Sequence, residues 1–309
     1  MNQIIIYGAG RIGDGYYNFL KANGYGNIVY GFCDQNWAEI KNKSGKPVIS
    51  LDEAKIKEMP FLIGVGSNLV GEVKKIFEEK DINNYYDDLI SLYRNHLHTD
   101  TKNVYRDFCA FYHEDHMEDY YQKAEIDYLS QFWGGTCKEL FEKLNKNNIV
   151  ELACGHGRHV PQYINDSEHI TLVDILEKNI EFCRKRFNDF ENISYYKNNG
   201  YDLEKLANDT YTALFTYDAM VHFELLDIAN YLKETYRILK RDSMALFHHS
   251  NYHSDYKAAF STAPGGRSFM SKEIFAYLAY RAGFEIIDQR VLSFNKFPDL
   301  DCLTLVKKN

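Results

Sequence analysis

Twice the chain runs an apolar strand into closely spaced glycines and then into an amphipathic stretch: "QIIIYGAGRIGDGYYNFL" at the N-terminus and "NNIVELACGHGRHVPQYI" from Asn147 to Ile164. A strand that breaks at glycine lets backbone N–H groups approach a ligand at its carboxyl edge, and the chain must then return over the sheet. Each half is therefore expected to be a parallel, doubly wound α/β layer. Around the first loop, "QIIIYG", "NIVYGFCD" and "PFLIGVGS" read as strands between the helices "RIGDGYYNFLKANG", "LDEAKIKEM" and "LVGEVKKIFEEKD". Around the second, "NNIVELAC", "HITLVDI", "NISYYKN", "YTALFTYD", "SMALFHHS", "FEIIDQRVLSF" and "DCLTLVKK" read as seven strands. The last two are joined by "NKFPD", too short for a crossover, so they form a hairpin and one is antiparallel. The helix "IANYLKETYRILK" is expected to turn Ala229, Leu232, Tyr236 and Leu239 to one face.

The expected plan is a small Rossmann-like domain over residues 1–92, a linker and helical cap over 93–128, rich in His, Tyr and acids, and a seven-stranded domain over 129–309. No sequence repeat links the halves. With 45% apolar and 26% charged residues the composition is that of a globular protein, and six scattered cysteines form no C-x-x-C pair, against a disulfide framework or zinc knuckle. No run of eighteen apolar residues appears and "MNQIIIYGAG" is no leader, so a cytoplasmic protein without a membrane partner is expected. A formal charge of −8 opposes a phosphate backbone, and the one short basic cluster, "CRKRF", does not offset it.

In the central loop Gly155 and Gly157 stand at the strand's edge, and Asp174 ends the next strand, "ITLVD", where a carboxylate accepts the hydroxyls of a ribose. Glycine spacing alone would allow NAD. A third glycine is missing, however, with His159 or Val160 in its place, and Glu151 lies inside the preceding strand. At "ELACGHG", "VD", "NNGYDL", "TYDAMVHF", "YRILKRDSMALF" and the terminal hairpin, over about residues 125–309, the chain resembles the class I S-adenosylmethionine-dependent methyltransferases. The resemblance implies S-adenosyl-L-methionine as cofactor. It implies Glu151 at the methionine amino group, Gly155 and Gly157 along the methionine backbone, Asp174 at the ribose, and Ala153 and Ile175 beside them. Asn199 and Gly200 fall near the adenine, where the family often has an aspartate, and Tyr217 and Asp218 at the cofactor's floor.

Methyl transfer to an alcohol needs an acceptor held near the methyl group and a base for its proton, and histidine titrates in the right range. His222 follows the fourth strand and His248 and His249 end the fifth. Only one of the adjacent pair can face a given side, and His249 is read as the substrate-side member. His222 and His249 are thus the candidate catalytic residues, each also readable as a loop-ordering histidine. Arg267 in "PGGRSFMS" is a candidate for an anionic substrate group or a solvated loop residue. Tyr120, Tyr121 and Trp133 could cover the cofactor or belong to a core. His96, His98, His113 and His116, with Glu114 or Asp115, match no metal spacing, and no metal is expected. The amino-methylating nucleic-acid enzymes of the class carry Asn/Asp-Pro-Pro-aromatic after the fourth strand, where this chain has "TYDAM".

"IIIYGAGRIGDG" satisfies G-x-G-x-x-G with Gly8, Gly10 and Gly13, and Asp34 ends the next strand at the ribose position. Residues 1–90 resemble the small Rossmann-like domains attached to bacterial enzymes that modify sugar nucleotides or surface polysaccharides. Such a domain implies a bound nucleotide or nucleotide-sugar, or a scaffold or homo-oligomer contact. The whole reads as a methyltransferase acting on the oxygen of a saccharide or sugar-nucleotide-type small molecule in surface glycan biosynthesis. An NAD-dependent sugar oxidoreductase and a non-catalytic cofactor-binding protein are the alternatives.

Overall fold

The computed structural model describes residues 2–116, 118–257, 260–294 and 296–309, and the backbone alone of His116, Glu118, Tyr128, Ser130, Gln131, Phe132 and Gly134. The chain divides into two units, Met1–His116 with Phe260–Gly266, and Met117–Ala259 with Arg267–Asn309.

The first unit runs β1 (Ile4–Tyr7), α1 (Arg11–Ala22), β2 (Val29–Cys33), α2 (Trp37–Ile40), β3 (Asn42–Lys43), β4 (Lys46–Ile49), α3 (Leu51–Ile56), β5 (Phe61–Ile63), α4 (Ser67–Glu79), β6 (Tyr85–Tyr86), α5 (Leu89–Leu92) and α6 (Val104–His116). Its sheet has the order β3-β4-β2-β1-β5-β6, parallel except for the β3–β4 hairpin. Ile4, Ile5 and Ile6 are all buried, because helices cover both faces of a parallel sheet and leave no polar side to alternate with. Helix α6, within the stretch expected as linker and cap, packs Phe108 and Tyr112 on Gly15 of α1. Phe260 closes on both rings, and the Tyr16 hydroxyl donates to Ser261 Oγ at 2.6 Å. A segment distant in sequence thus completes this unit's core.

The second unit runs α7 (Glu118–Lys123), a π-type helical stretch Ala124–Cys137, α8 (Lys138–Phe141), β7 (Asn148–Leu152), β8 (His169–Asp174), α9 (Glu177–Arg186), β9 (Ile193–Lys197), β10 (Tyr211–Thr216), α10 (Leu225–Ile238), β11 (Leu239–Ser250), α11 (Lys272–Ala282), β12 (Phe284–Phe294) and β13 (Phe297–Lys308). The sheet order is β12-β13-β11-β10-β7-β8-β9. Strands β11, β10, β7, β8 and β9 are mutually parallel, and β13 pairs antiparallel with both β11 and β12. All seven expected strands are present.

Alternate residues of β7 feed two cores. Ile149 packs with Leu172, Phe215, Phe141 and Tyr163 on one face. Val150 and Leu152 pack with Val173, Leu214, Phe247 and Leu232 on the other. Each such side chain contributes about 1.5–3 kcal/mol on burial. Helix α10 lies one position round from the expected face: Ile228, Tyr231, Leu232, Thr235 and Ile238 point inward, and Ala229 and Tyr236 sit half-buried at its flank. The i, i+3, i+4 stripe from Ile228 is wider in apolar surface than the one from Ala229.

Candidate active site

After β7 the chain turns through Ala153 (φ 57°), Gly155 (φ 53°) and Gly157 (φ 70°), all left-handed. At Gly157 a Cβ would stand 2.6 Å from the Phe187 ring, and at Gly155 it would stand 2.9 Å from the Tyr121 ring, so both positions exclude a side chain. The turn is tied back to β8. Gly155 N–H donates to Asp174 Oδ2 at 2.9 Å, while Leu176 N–H (2.9 Å) and Asn179 Nδ2 (3.1 Å) donate to Oδ1. Burial pushes the Asp174 carboxyl above its usual range, and these donors pull against it. Ile175 is half-buried beside it.

Glu151 shares the face of Ile149 and is 2% exposed. Its Oε1 accepts from His159 Nδ1 at 3.1 Å and its Oε2 from the Tyr163 hydroxyl at 2.5 Å. Burial lowers the His159 pKa against the pull of Glu151. A neutral ring donating from Nδ1 leaves Nε2 as the acceptor, 3.3 Å from Arg158 Nε. Arg158 Nη2 then reaches Asp218 Oδ2 at 2.8 Å, and the Tyr120 hydroxyl donates to the same oxygen at 2.6 Å. Burial would raise the Asp218 carboxyl, but the Arg158 guanidinium, helped by the Tyr120 hydroxyl, outweighs it and holds the group at about 2. Asp218 is itself left-handed (φ 58°), a strained conformation for a residue with a side chain. Sequence reasoning did not single out Arg158, His159, Tyr163 or Asn179, although His159 and Tyr163 stand four residues apart directly after the glycines.

The histidine pair separates to opposite faces, as strand alternation requires. His249 is fully buried, its ring stacked on Phe275 at 3.8 Å. Its Nδ1 meets Ser250 O and its Nε2 meets Thr304 Oγ1, each at 2.8 Å. Burial drives its pKa down to about 3. His249 is therefore a neutral core residue, and its assignment to substrate is corrected. His248 faces the other side, stacked on Tyr217 at 4.5 Å, with Nδ1 accepting the Asp218 N–H at 3.0 Å. Its Nε2 lies 3.3 Å from Asp301 Oδ2.

Arg267 is also corrected. It is 2% exposed and clamps Asp301 through Nε (2.8 Å) and Nη2 (2.6 Å), with Phe294 4.0 Å beneath the guanidinium. The bidentate pair, with His248, holds Asp301 well below the usual carboxylate range despite its burial. That guanidinium is committed within the fold and does not await a substrate anion.

Asn199 spends its side chain on its own turn, accepting from Tyr201 and Asp202 N–H and donating to Asp202 Oδ2, with Gly200 left-handed (φ 75°) beside it. Its buried neighbour Asn198 binds the Tyr231 hydroxyl at 2.8 Å. His222 is half-buried after β10, where Ser268 Oγ donates to its carbonyl at 2.9 Å. Two residues on, burial and the nearby Asp227 raise Glu224 to about 7, an unforeseen titrating group at this edge. Trp133 is core, stacked on His159 at 5.2 Å.

In the first unit a Cβ on Gly13 would stand 1.9 Å from Gly8 O, so α1 can begin this close to β1 only with glycine there. Gly10 caps the helix and is open to its surroundings. Asp34 Oδ2 accepts the Ala9 N–H at 2.8 Å, the same strut that joins Asp174 to Gly155. Of the histidines weighed for metal, His96 is engaged by Tyr86 and the Asn2 carbonyl, and His113 by the Cys109 carbonyl. The His116 side chain lies outside the described residues, among which no three potential metal ligands cluster.

Residues 149–242 match the family model described as a methyltransferase domain. No curated protein matches the chain. Among solved structures, the geranyl diphosphate C-methyltransferase of Streptomyces coelicolor A3(2) aligns at a TM-score of 0.50 and 12% identity, over 61% of this chain and 83% of that one. An S-adenosylmethionine-dependent methyltransferase of Mesorhizobium loti aligns at 0.46 and 16% identity, over 55% and 96%. Such identities speak to the fold alone. The seven-stranded sheet with its antiparallel hairpin is a methyltransferase fold.

Proposed function

We propose that this chain, which carries an S-adenosylmethionine-dependent methyltransferase domain, methylates an oxygen of a saccharide or sugar-nucleotide-type small molecule for a surface glycan. The observation that carries the reading of the site is the strut from Asp174 to the Gly155 amide, which fixes a carboxylate beside a wall without Cβ atoms at the edge of β7. Those residues fit the cofactor, whose sulfonium supplies an already activated methyl group. Asp174 accepts ribose hydroxyls, and Ala153, Gly155, Gly157 and Ile175 line the nucleoside and methionine path. Glu151 offers its remaining lone pairs to an ammonium. Tyr217 and Asp218 form the floor, and with the Asn199 amide committed to its turn, backbone near Gly200 meets the adenine.

His222 serves as the proton acceptor for a substrate hydroxyl at the edge of β10. The charge of −8 and the missing Pro-Pro-aromatic motif favour a small acceptor over nucleic acid. The first unit, with its intact glycine loop and Asp34, holds a nucleotide or nucleotide-sugar. Calorimetric titration with S-adenosylhomocysteine, NAD and UDP-glucose tests the two sites separately. Binding of S-adenosylhomocysteine with methylation of hexose acceptors is the expected outcome. NAD binding in its place would overturn the reading.

A further inference from the structure

Tyr120 and Tyr121 are neighbours on α7, yet their hydroxyls go to opposite sides of the β7 edge. The Tyr120 hydroxyl donates to Asp218 Oδ2, at the end of β10. The Tyr121 hydroxyl accepts from Asn179 Nδ2 at 3.0 Å, and the same amide group donates to Asp174 Oδ1 at the end of β8. The Tyr121 ring also lies against Gly155, at the position a Cβ would need, and stacks at 4.3 Å on His156, the residue between the two glycines. His156 is covered on its other side by Phe182 at 3.8 Å. Glu125, four residues on, pairs with Arg186, whose Nη1 donates to the His156 carbonyl at 2.9 Å. This stretch thus touches the glycine turn, binds Asp218 directly through Tyr120 and reaches Asp174 through Asn179.

We infer that Tyr121 is a cofactor-positioning residue: it holds Asn179 and the Gly155–Gly157 turn so that the Asp174 carboxylate is aimed at the two ribose hydroxyls. Its neighbour Tyr120 donates directly to Asp218, at the cofactor's floor. The inference rests on the proposed cofactor site. An Asn179 side chain free to rotate would take one donor from Asp174 Oδ1 and let the carboxylate swing away from the ribose. The tyrosine acts through Asn179, so its removal is felt only by ligands that carry ribose hydroxyls.

The test compares S-adenosylhomocysteine with its 2′-deoxyribose analogue by calorimetry on the full chain, for wild type, Tyr121→Phe and Tyr120→Phe. Tyr121→Phe keeps the ring stack and removes one hydrogen bond, so a 2- to 10-fold loss of S-adenosylhomocysteine affinity is expected. No more than a twofold loss is expected for the deoxy analogue, whereas Tyr120→Phe, which loosens Asp218 in the cofactor's floor, should weaken both ligands alike. Equal losses for the two ligands would reduce Tyr121 to a structural prop, and no loss for either would remove it from the site. Wild type that fails to bind S-adenosylhomocysteine at all would refute the cofactor site itself, a distinguishable result. Thermal unfolding of Tyr121→Phe checks that the fold is intact.

Discussion

Glu151 anchors a buried network and is proposed to meet the cofactor's amine, and two substitutions separate the two roles. Its carboxylate is 2% exposed and receives the His159 Nδ1–H and the Tyr163 O–H. Glu151→Ala orphans both donors where water does not reach, at about 1–3 kcal/mol each. The sum, about 2–6 kcal/mol, is a large part of the roughly 5–15 kcal/mol that holds a domain folded. Glu151→Gln is gentler: the amide oxygen still accepts from His159, and the amide N–H can donate to the Tyr163 oxygen, so about 1 kcal/mol is lost. The same exchange removes the partner for a cofactor ammonium, worth about 1.5–3 kcal/mol for a bond to a charged group, or about 10- to 150-fold in affinity. Urea unfolding followed by the emission of Trp133, which stacks on His159, reads the first quantity. Titration with S-adenosylhomocysteine reads the second. An alanine variant within about 0.5 kcal/mol of wild type would show that the buried network contributes nothing. A glutamine variant that binds S-adenosylhomocysteine with undiminished affinity would take Glu151 out of the cofactor site.

Gly157→Ala combines a left-handed backbone, about 1–2 kcal/mol, with a Cβ 2.6 Å from the Phe187 ring, so chemical denaturation should show a loss of about 2–4 kcal/mol. His222→Ala should lower turnover by about 100-fold while S-adenosylhomocysteine affinity stays within about twofold; unchanged turnover excludes it as the base. Between pH 6.5 and about 3 the unfolded chain binds a proton that buried His249 refuses, so stability falls on acidification, and pH-dependent urea midpoints should flatten in His249→Gln. Glu224 has the opposite sign: raised to about 7, it keeps its proton in the folded state from pH 4.5 upward, so stability falls as pH rises through that window. Glu224→Gln should then stabilise at pH 8, by up to about 3 kcal/mol before solvent screening of a half-buried site.

Period and punctuation made the elements legible. All seven strands of the second unit and the terminal hairpin follow from apolar runs and loop length, and so do the glycine turns and the two acids that end β2 and β8. What each side chain does at the edge was not legible, because that depends on partners remote in sequence. The His248–His249 pair shows the limit: alternation says that the two rings part, but which one meets Thr304 and Phe275 in the core and which meets Asp218 depends on β13 and α11. Arg267 likewise reads as a free cation until Asp301, on a strand 34 residues away, neutralises it. Phe260–Gly266 could not be assigned to the first unit from sequence, since its links to α1 and α6, ring packing and the Tyr16–Ser261 hydrogen bond, join residues remote in sequence.

The two glycine loops share the acid-to-amide strut and then diverge in a way that bears on their ligands. The first opens α1, twelve residues long, with Gly10 at its cap and no side-chain cap there. Such an end carries partial positive charge and suits a pyrophosphate. The second opens only two three-residue turns, Val160–Gln162 and Ile164–Asp166, with no helix dipole to aim at a ligand. Below and beside it lie Glu151, Asp174 and Asp218, and the nearby cations Arg158 and Arg186 are already paired to Asp218 and Glu125. A phosphate would meet acids there with no compensating dipole, whereas a sulfonium and an ammonium on a phosphate-free nucleoside would be attracted. The same strand-to-glycine start therefore presents opposite local polarity in the two units, and the length of the helix that follows contributes to the difference.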